Sequence, residues 1–232
     1  MRRISYLVAV ALLAALASAL QDTVRLERVY KTGDMDSYSF ALAMTTGGGS
    51  VDLSMKVTHI VKKVDEDGVA DVEMQFADLA VVFNDQEMNP PAPPSLTLRV
   101  TKHGLPVGQK LARGQGQSMN LVFLRYLSLV PDQAVKVGEK VDMNFTDPEN
   151  SKTRVTGDFS VESVRRGEAK TVSHLEISVD GMGQVMRMVR TAWFDVKTGK
   201  LKRAEGTVSN LAGGPEGLGA VDAIQFTYER AK

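Results

Sequence analysis

The side chains best suited to chemistry are few and widely separated. Histidine, whose charge changes nearest neutral pH, occurs at His59, His103 and His174, and the chain has no cysteine. No disulfide, thiolate zinc site or cysteine nucleophile is therefore available. His59 and His174 fall in stretches of similar pattern in opposite halves. A duplicated sheet would bring them together; as ordinary sheet residues they would stay apart.

The sequence contains no Gly-x-Ser-x-Gly elbow, no Gly-x-x-x-x-Gly-Lys-Ser/Thr phosphate loop and no His-Glu-x-x-His pair. Gly114-Gln115-Gly116 and Gly181-Met182-Gly183 open like dinucleotide fingerprints but lack the third glycine and read as turns. Asp65-Glu66-Asp67-Gly68 with Asp71 offers oxygen ligands for a hard cation. A solvated hairpin tip explains the same residues better. Met182, Met186 and Met188 are soft ligands without a nearby histidine. The expectation is a protein that is not an enzyme, with no catalytic residue, no metal and no cofactor.

Methionine is the more suggestive residue type, because thioether side chains adapt to irregular partners. Met44, Met55, Met74, Met186 and Met188 stand inside candidate strands. Facing a closed core they fill gaps; facing a cavity they suit an acyl chain. The candidate ligand-binding residues are Met44, Met55 and Met74 together with Phe123, Tyr126 and Leu127.

The elements that position these residues follow from hydrophobic spacing. Tyr38, Phe40, Leu42 and Met44 alternate with the small residues Ser39, Ala41 and Ala43, and Val51, Leu53, Met55 and Val57 alternate with polar ones. Period two marks strands with one buried face, at home in antiparallel sheets. Asn89-Pro90-Pro91-Ala92-Pro93-Pro94 interrupts the pattern, since proline lacks the ladder donor. Met119, Val122, Phe123, Tyr126, Leu127 and Val130 then fall at helical spacing, which predicts one amphipathic helix within residues 115–131. Leu121, Leu124 and Leu129 make it apolar around most of its circumference, so it should be covered on several sides.

The second half echoes the first. Lys31-Thr32-Gly33-Asp34 matches Lys136-Val137-Gly138-Glu139, and the turn at Gly68 matches that at Gly167. Pseudo-repeats over residues 22–88 and 132–211, joined by a linker, hairpin and helix at 89–131, are one reading. Chance similarity between β meanders is the other.

Composition narrows the class. The chain balances 28 Lys+Arg against 28 Asp+Glu and is 43% hydrophobic, which gives no electrostatic footprint for nucleic acid and excludes a disordered tail. Met1-Arg2-Arg3, an apolar run and Ala17-Ser18-Ala19 read as a signal peptide over residues 1–19. That leaves a single β-rich domain at 20–232, secreted or periplasmic, with no integral membrane span after cleavage.

The phrases Leu129-Val130-Pro131-Asp132, Ala134-Val135-Lys136-Val137-Gly138-Glu139 and Phe194-Asp195-x-x-Thr198-Gly199-Lys200-Leu201 resemble those of uncharacterised exported bacterial β-rich proteins. These are similar in plan to curved half-barrels of lipoprotein-carrier type, in which a sheet wraps a helix and an apolar cavity. The resemblance implies a fold and carries over no catalytic residue. The expected architecture is mainly all-β: a curved antiparallel sheet or half-barrel from two diverged meander halves, with one amphipathic helix packed on it. The expected function is a non-catalytic extracytoplasmic binding module for a lipid, another apolar ligand or a cell-envelope component. The alternative is a structural or interaction protein of the envelope with a filled core.

Overall fold

The computed structural model describes residues 23–46, 49–108, 121–181, 183–210 and 221–231. The expected signal peptide at 1–19 lies outside them, as do residues 115–120 of the expected helix. Nearly every alternating stretch is a strand. The first half supplies β1 (Thr23–Val24), β2 (Met35–Thr46), β3 (Gly49–Val64), β4 (Ala70–Phe83), β5 (Gln86–Met88), β6 (Leu96–Val100) and β7 (Pro106–Val107). The second half supplies β8 (Val135–Lys136), β9 (Lys140–Asp147), β10 (Asn150–Arg165), β11 (Glu168–Ser178), β12 (Met186–Asp195), β13 (Leu201–Ser209) and β14 (Val221–Arg230).

Twelve of these strands form one antiparallel sheet in the order β7-β6-β4-β3-β2-β14-β13-β12-β11-β10-β9, with β5 beside β4. The two halves thus share a continuous sheet. They meet where β2 pairs β14, with Phe40 opposite Tyr228 and Leu42 opposite Phe226. β1 and β8 make a separate two-stranded pairing.

Curvature brings the two ends of the sheet together. Arg99 of β6 pairs with Glu149, in the turn between β9 and β10, at 2.5 Å. A Cβ on Gly108, just past β7, would stand 2.6 Å from Glu149 Oε2. No ladder joins β7 to β9 among the described residues, so side chains close the wall.

The two matching lysine–glycine phrases make the same turn. Gly33 and Gly138 take φ of +88° and +85°, which side-chain-bearing residues rarely adopt. Their amides donate to the carbonyls of Val61 and Val161, both at 2.8 Å. The ladder slips beside each of these valines.

The predicted helix takes a tighter form: a 3-10 helix at Leu121–Tyr126 followed by a turn. Leu127 N bonds to Leu124 O at 3.4 Å and Leu129 N to Tyr126 O at 3.2 Å, both spanning three residues. Continuation is blocked by Pro131, and Arg190 takes the carbonyls at the segment's C-terminal end. As expected of a stretch apolar on all sides, Val122, Phe123, Leu124, Tyr126, Leu127 and Leu129 are all buried.

Candidate functional site

The hollow of the sheet is lined by the inner phase of each strand. In β2 that phase is Asp36, Tyr38, Phe40, Leu42 and Met44, and in β12 it is Met186, Met188, Arg190, Ala192 and Phe194, all buried. Two charged residues, Asp36 and Arg190, therefore stand among apolar ones. Each organises one part of the interior.

Arg190 holds the segment that fills the hollow. Its Nη1 donates to the carbonyls of Tyr126 at 3.1 Å and Leu127 at 2.5 Å, and its Nη2 to that of Leu129 at 2.7 Å. Nε donates to Ser173 Oγ at 3.2 Å. A guanidinium offers five donors in a fixed fork, so one side chain serves three carbonyls at the end of the segment, of which that of Tyr126 also accepts from Leu129 N. Burial pushes the Arg190 pKa down to about 9, which leaves it cationic at neutral pH. Among the described residues no carboxylate pairs with it. Beyond this anchor, Phe123 packs between Phe40 and Phe226 with ring centroids 6.0 and 5.3 Å away.

Asp36 organises one end of the hollow. It accepts from Arg28 Nη2 at 2.5 Å, Arg230 Nη2 at 2.5 Å and Lys200 Nζ at 3.3 Å. Burial alone would raise its pKa; the Arg28 hydrogen bond and the charges of Arg28, Lys200 and Arg230 outweigh this and lower it. Next to it Tyr38 and Tyr228 stack at 4.5 Å, and Tyr228 Oη lies 2.9 Å from His59 Nε2. Burial pushes His59 down to about 4, with Asp36 opposing and Arg28 assisting, so its ring is neutral at pH 7.

A strap formed by residues 25–31 crosses this end. Arg28 N bonds to Lys102 O at 2.8 Å and Val29 N to Thr198 O at 3.2 Å. Gly199 admits the strap, since a Cβ there would stand 2.2 Å from Glu27 O. Between strap, 3-10 segment and sheet lies a cavity of about 50 Å³. Val72, Met74, Leu98 and Leu127 are among its apolar walls, and Arg28, Tyr30, His59 and Arg125 are among its polar ones. It has room for a few heavy atoms and is far smaller than an acyl chain. A wider depression of about 580 Å³ lies on the outer face, over Ala41, Ala43, Ser54 and Ala80, and is open to solvent.

All six candidate ligand-binding residues are buried on the inner side: Met44, Met55, Met74, Phe123, Tyr126 and Leu127. Met74 and Leu127 line the cavity; the other four pack in the filled part of the hollow. His59 and His174 are not brought together. β2, β14, β13 and β12 separate their strands in the sheet, and the exposed His174 pairs with Asp158 at 2.8 Å. Asp65 and Asp71, the oxygen-rich tip, pair with Arg99 at 3.1 and 3.7 Å. Arg28, Asp36, Arg190 and Lys200 are functional candidates that spacing alone does not single out. A signal exists for two of them: Asp36 and Arg190 each occupy the apolar phase of an alternating strand.

No family model matches the sequence, and no curated protein matches it. Among solved structures, 88% of the chain is similar to part of lipovitellin, in a study of "lipid-protein interactions in lipovitellin", with a TM-score of 0.52 and 11% identity. The match covers 25% of that chain, so this protein spans a quarter of its length. At that identity the likeness shows the fold alone. The hypothetical lipoprotein YmcC of Escherichia coli matches over 88% of this chain and 90% of its own, at 14% identity and a TM-score of 0.30. A DUF1329 family protein of Desulfovibrio piger matches over 87% and 85%, at 10% identity and a TM-score of 0.27. Likeness at these two scores is too slight to bear on function. Among the described residues no helix is long and apolar enough to cross a membrane.

Proposed function

We propose that this protein is a non-catalytic binding module of the cell envelope or exterior that takes an apolar ligand into the hollow of its sheet, in place of the segment at 121–130. The observation that carries the reading is the nature of the present occupant. Phe123, Tyr126 and Leu127 fill an apolar hollow as part of a short 3-10 segment outside the sheet, and three of its carbonyls are tied to the single side chain of Arg190. Moving that segment would expose Phe40 and Phe226, the rings now packed on Phe123, which an apolar chain would cover in its stead. The fold shared with part of lipovitellin, whose structure concerns lipid–protein interactions, is in keeping with such a ligand.

A second reading, an envelope interaction protein with a permanently filled core, draws support from the small cavity of about 50 Å³. Native mass spectrometry of the protein purified from its own cells separates the two. The apolar-ligand reading expects a population heavier than the chain by one lipid, released on activation. Bare chain alone, with no lipid recovered by solvent extraction, favours the filled-core reading.

A further inference from the structure

We propose that the cavity at the Asp36 end is a headgroup site for a carboxylate-bearing amphiphile, such as a long-chain fatty acid, with its carboxylate received by Arg28 and the Tyr30 hydroxyl. The proposal rests on the apolar-ligand reading and adds the class of ligand.

Arg28 is the strongest indication. Its Nη2 is committed to Asp36, while its Nη1 is buried with no hydrogen-bond partner among the described residues. A buried donor left without an acceptor costs free energy, and a carboxylate oxygen is the acceptor that suits a guanidinium best.

The local charge balance agrees. Asp34 and Asp36 face Arg28, Lys200 and Arg230 through the ion pairs at this end. Cations outnumber carboxylates in that network, so one incoming anion reduces an existing surplus. Tyr30 lines the cavity too, and burial raises its pKa to about 12, which keeps its hydroxyl as a donor.

Size assigns the two parts of the ligand. A volume of about 50 Å³ admits a group of a few heavy atoms and excludes a chain. The chain would run where Leu124 and Leu127, which wall the cavity, now stand. Polar head and apolar tail thus meet the two kinds of wall that the hollow presents.

The test uses the full chain titrated with oleate, methyl oleate and acetate. The ester keeps the tail and loses the charge; acetate keeps the charge and loses the tail. Oleate is expected to bind saturably and at least about tenfold more tightly than either, the size of one charge-assisted hydrogen bond. Arg28→Lys retains a charge for Asp36 but drops the second nitrogen, and Tyr30→Phe removes the hydroxyl donor. Each should narrow the gap between acid and ester, with a urea midpoint confirming the fold; if Arg28→Lys does not fold, Tyr30→Phe decides. Equal binding of acid and ester overturns the headgroup site and leaves the apolar-ligand reading standing. Acetate binding as tightly as oleate overturns the amphiphile. Binding of neither oleate nor ester overturns the reading beneath the proposal as well.

Discussion

Arg190 Nη2 stands 2.7 Å from the carbonyl oxygen of Leu129, joining the middle of β12 to the end of the segment that fills the sheet's hollow. With the bonds to Tyr126 and Leu127, that contact ties an otherwise irregular stretch to the regular wall. Replacing Arg190 by methionine keeps much of the volume and removes every donor. The expected loss of stability is about 3 kcal/mol, the scale of breaking a buried charged network. Arg190→Lys, with one nitrogen for three carbonyls, should fall between. Urea denaturation measures both, and an unchanged midpoint for Arg190→Met would show that the segment is held by apolar packing alone.

His59 makes stability depend on pH in a defined direction. Its folded pKa of about 4 lies below its ordinary 6.5, so the unfolded chain binds the proton more readily between those values. The associated stability is complete above pH 6.5 and is lost as pH falls toward 4, to a total of about 3 kcal/mol. Asp36, whose pKa is also lowered, adds a further loss at more acid pH. His59→Gln should flatten the pH 4–6.5 part of the profile while leaving the steeper acid limb. A wild-type profile already flat across that window would contradict the buried neutral imidazole.

Gly199 and Gly68 separate a steric demand from a conformational one. Both take positive φ, at +62° and +78°, but a Cβ on Gly199 meets Glu27 O at 2.2 Å while one on Gly68 meets nothing within 4 Å. Alanine at Gly68 should cost about 1 kcal/mol, the usual penalty of a left-handed conformation. At Gly199 the strap must also shift, and a loss of about 2–4 kcal/mol is expected. Thermal denaturation of the two variants gives the comparison; equal losses would mean that the strap yields freely.

Much of the wall was legible in the sequence because alternation is a local signal. Tyr38 to Met44 and Val51 to Val57 display it without interruption, and the turns at Gly33 and Gly138 combine a glycine with a following strand. The segment at 121–130 was harder to read. Its spacing is helical, but Arg190, distant in the chain, takes its last carbonyls and Pro131 ends it. The charged end was hidden for a related reason. Asp36, Lys200 and Arg230 are scattered along the chain and meet only because β2 pairs β14 and the β12–β13 turn folds over the same end. An acidic or basic residue in the apolar phase of a strand is the local trace that such long-range pairing leaves.

A hollow that accepts an apolar ligand when the segment at 121–130 gives way can be tested most directly with the neutral fluorophore N-phenyl-1-naphthylamine, titrated into the wild type and Arg190→Met. Saturable binding at one site is expected of both proteins. Affinity should be higher in the variant, because weakening the tie raises the population that can receive the ligand. Unsaturable or absent fluorescence enhancement in both proteins, with Arg190→Met still folded by near-ultraviolet circular dichroism, would contradict ligand entry and leave a permanently filled core.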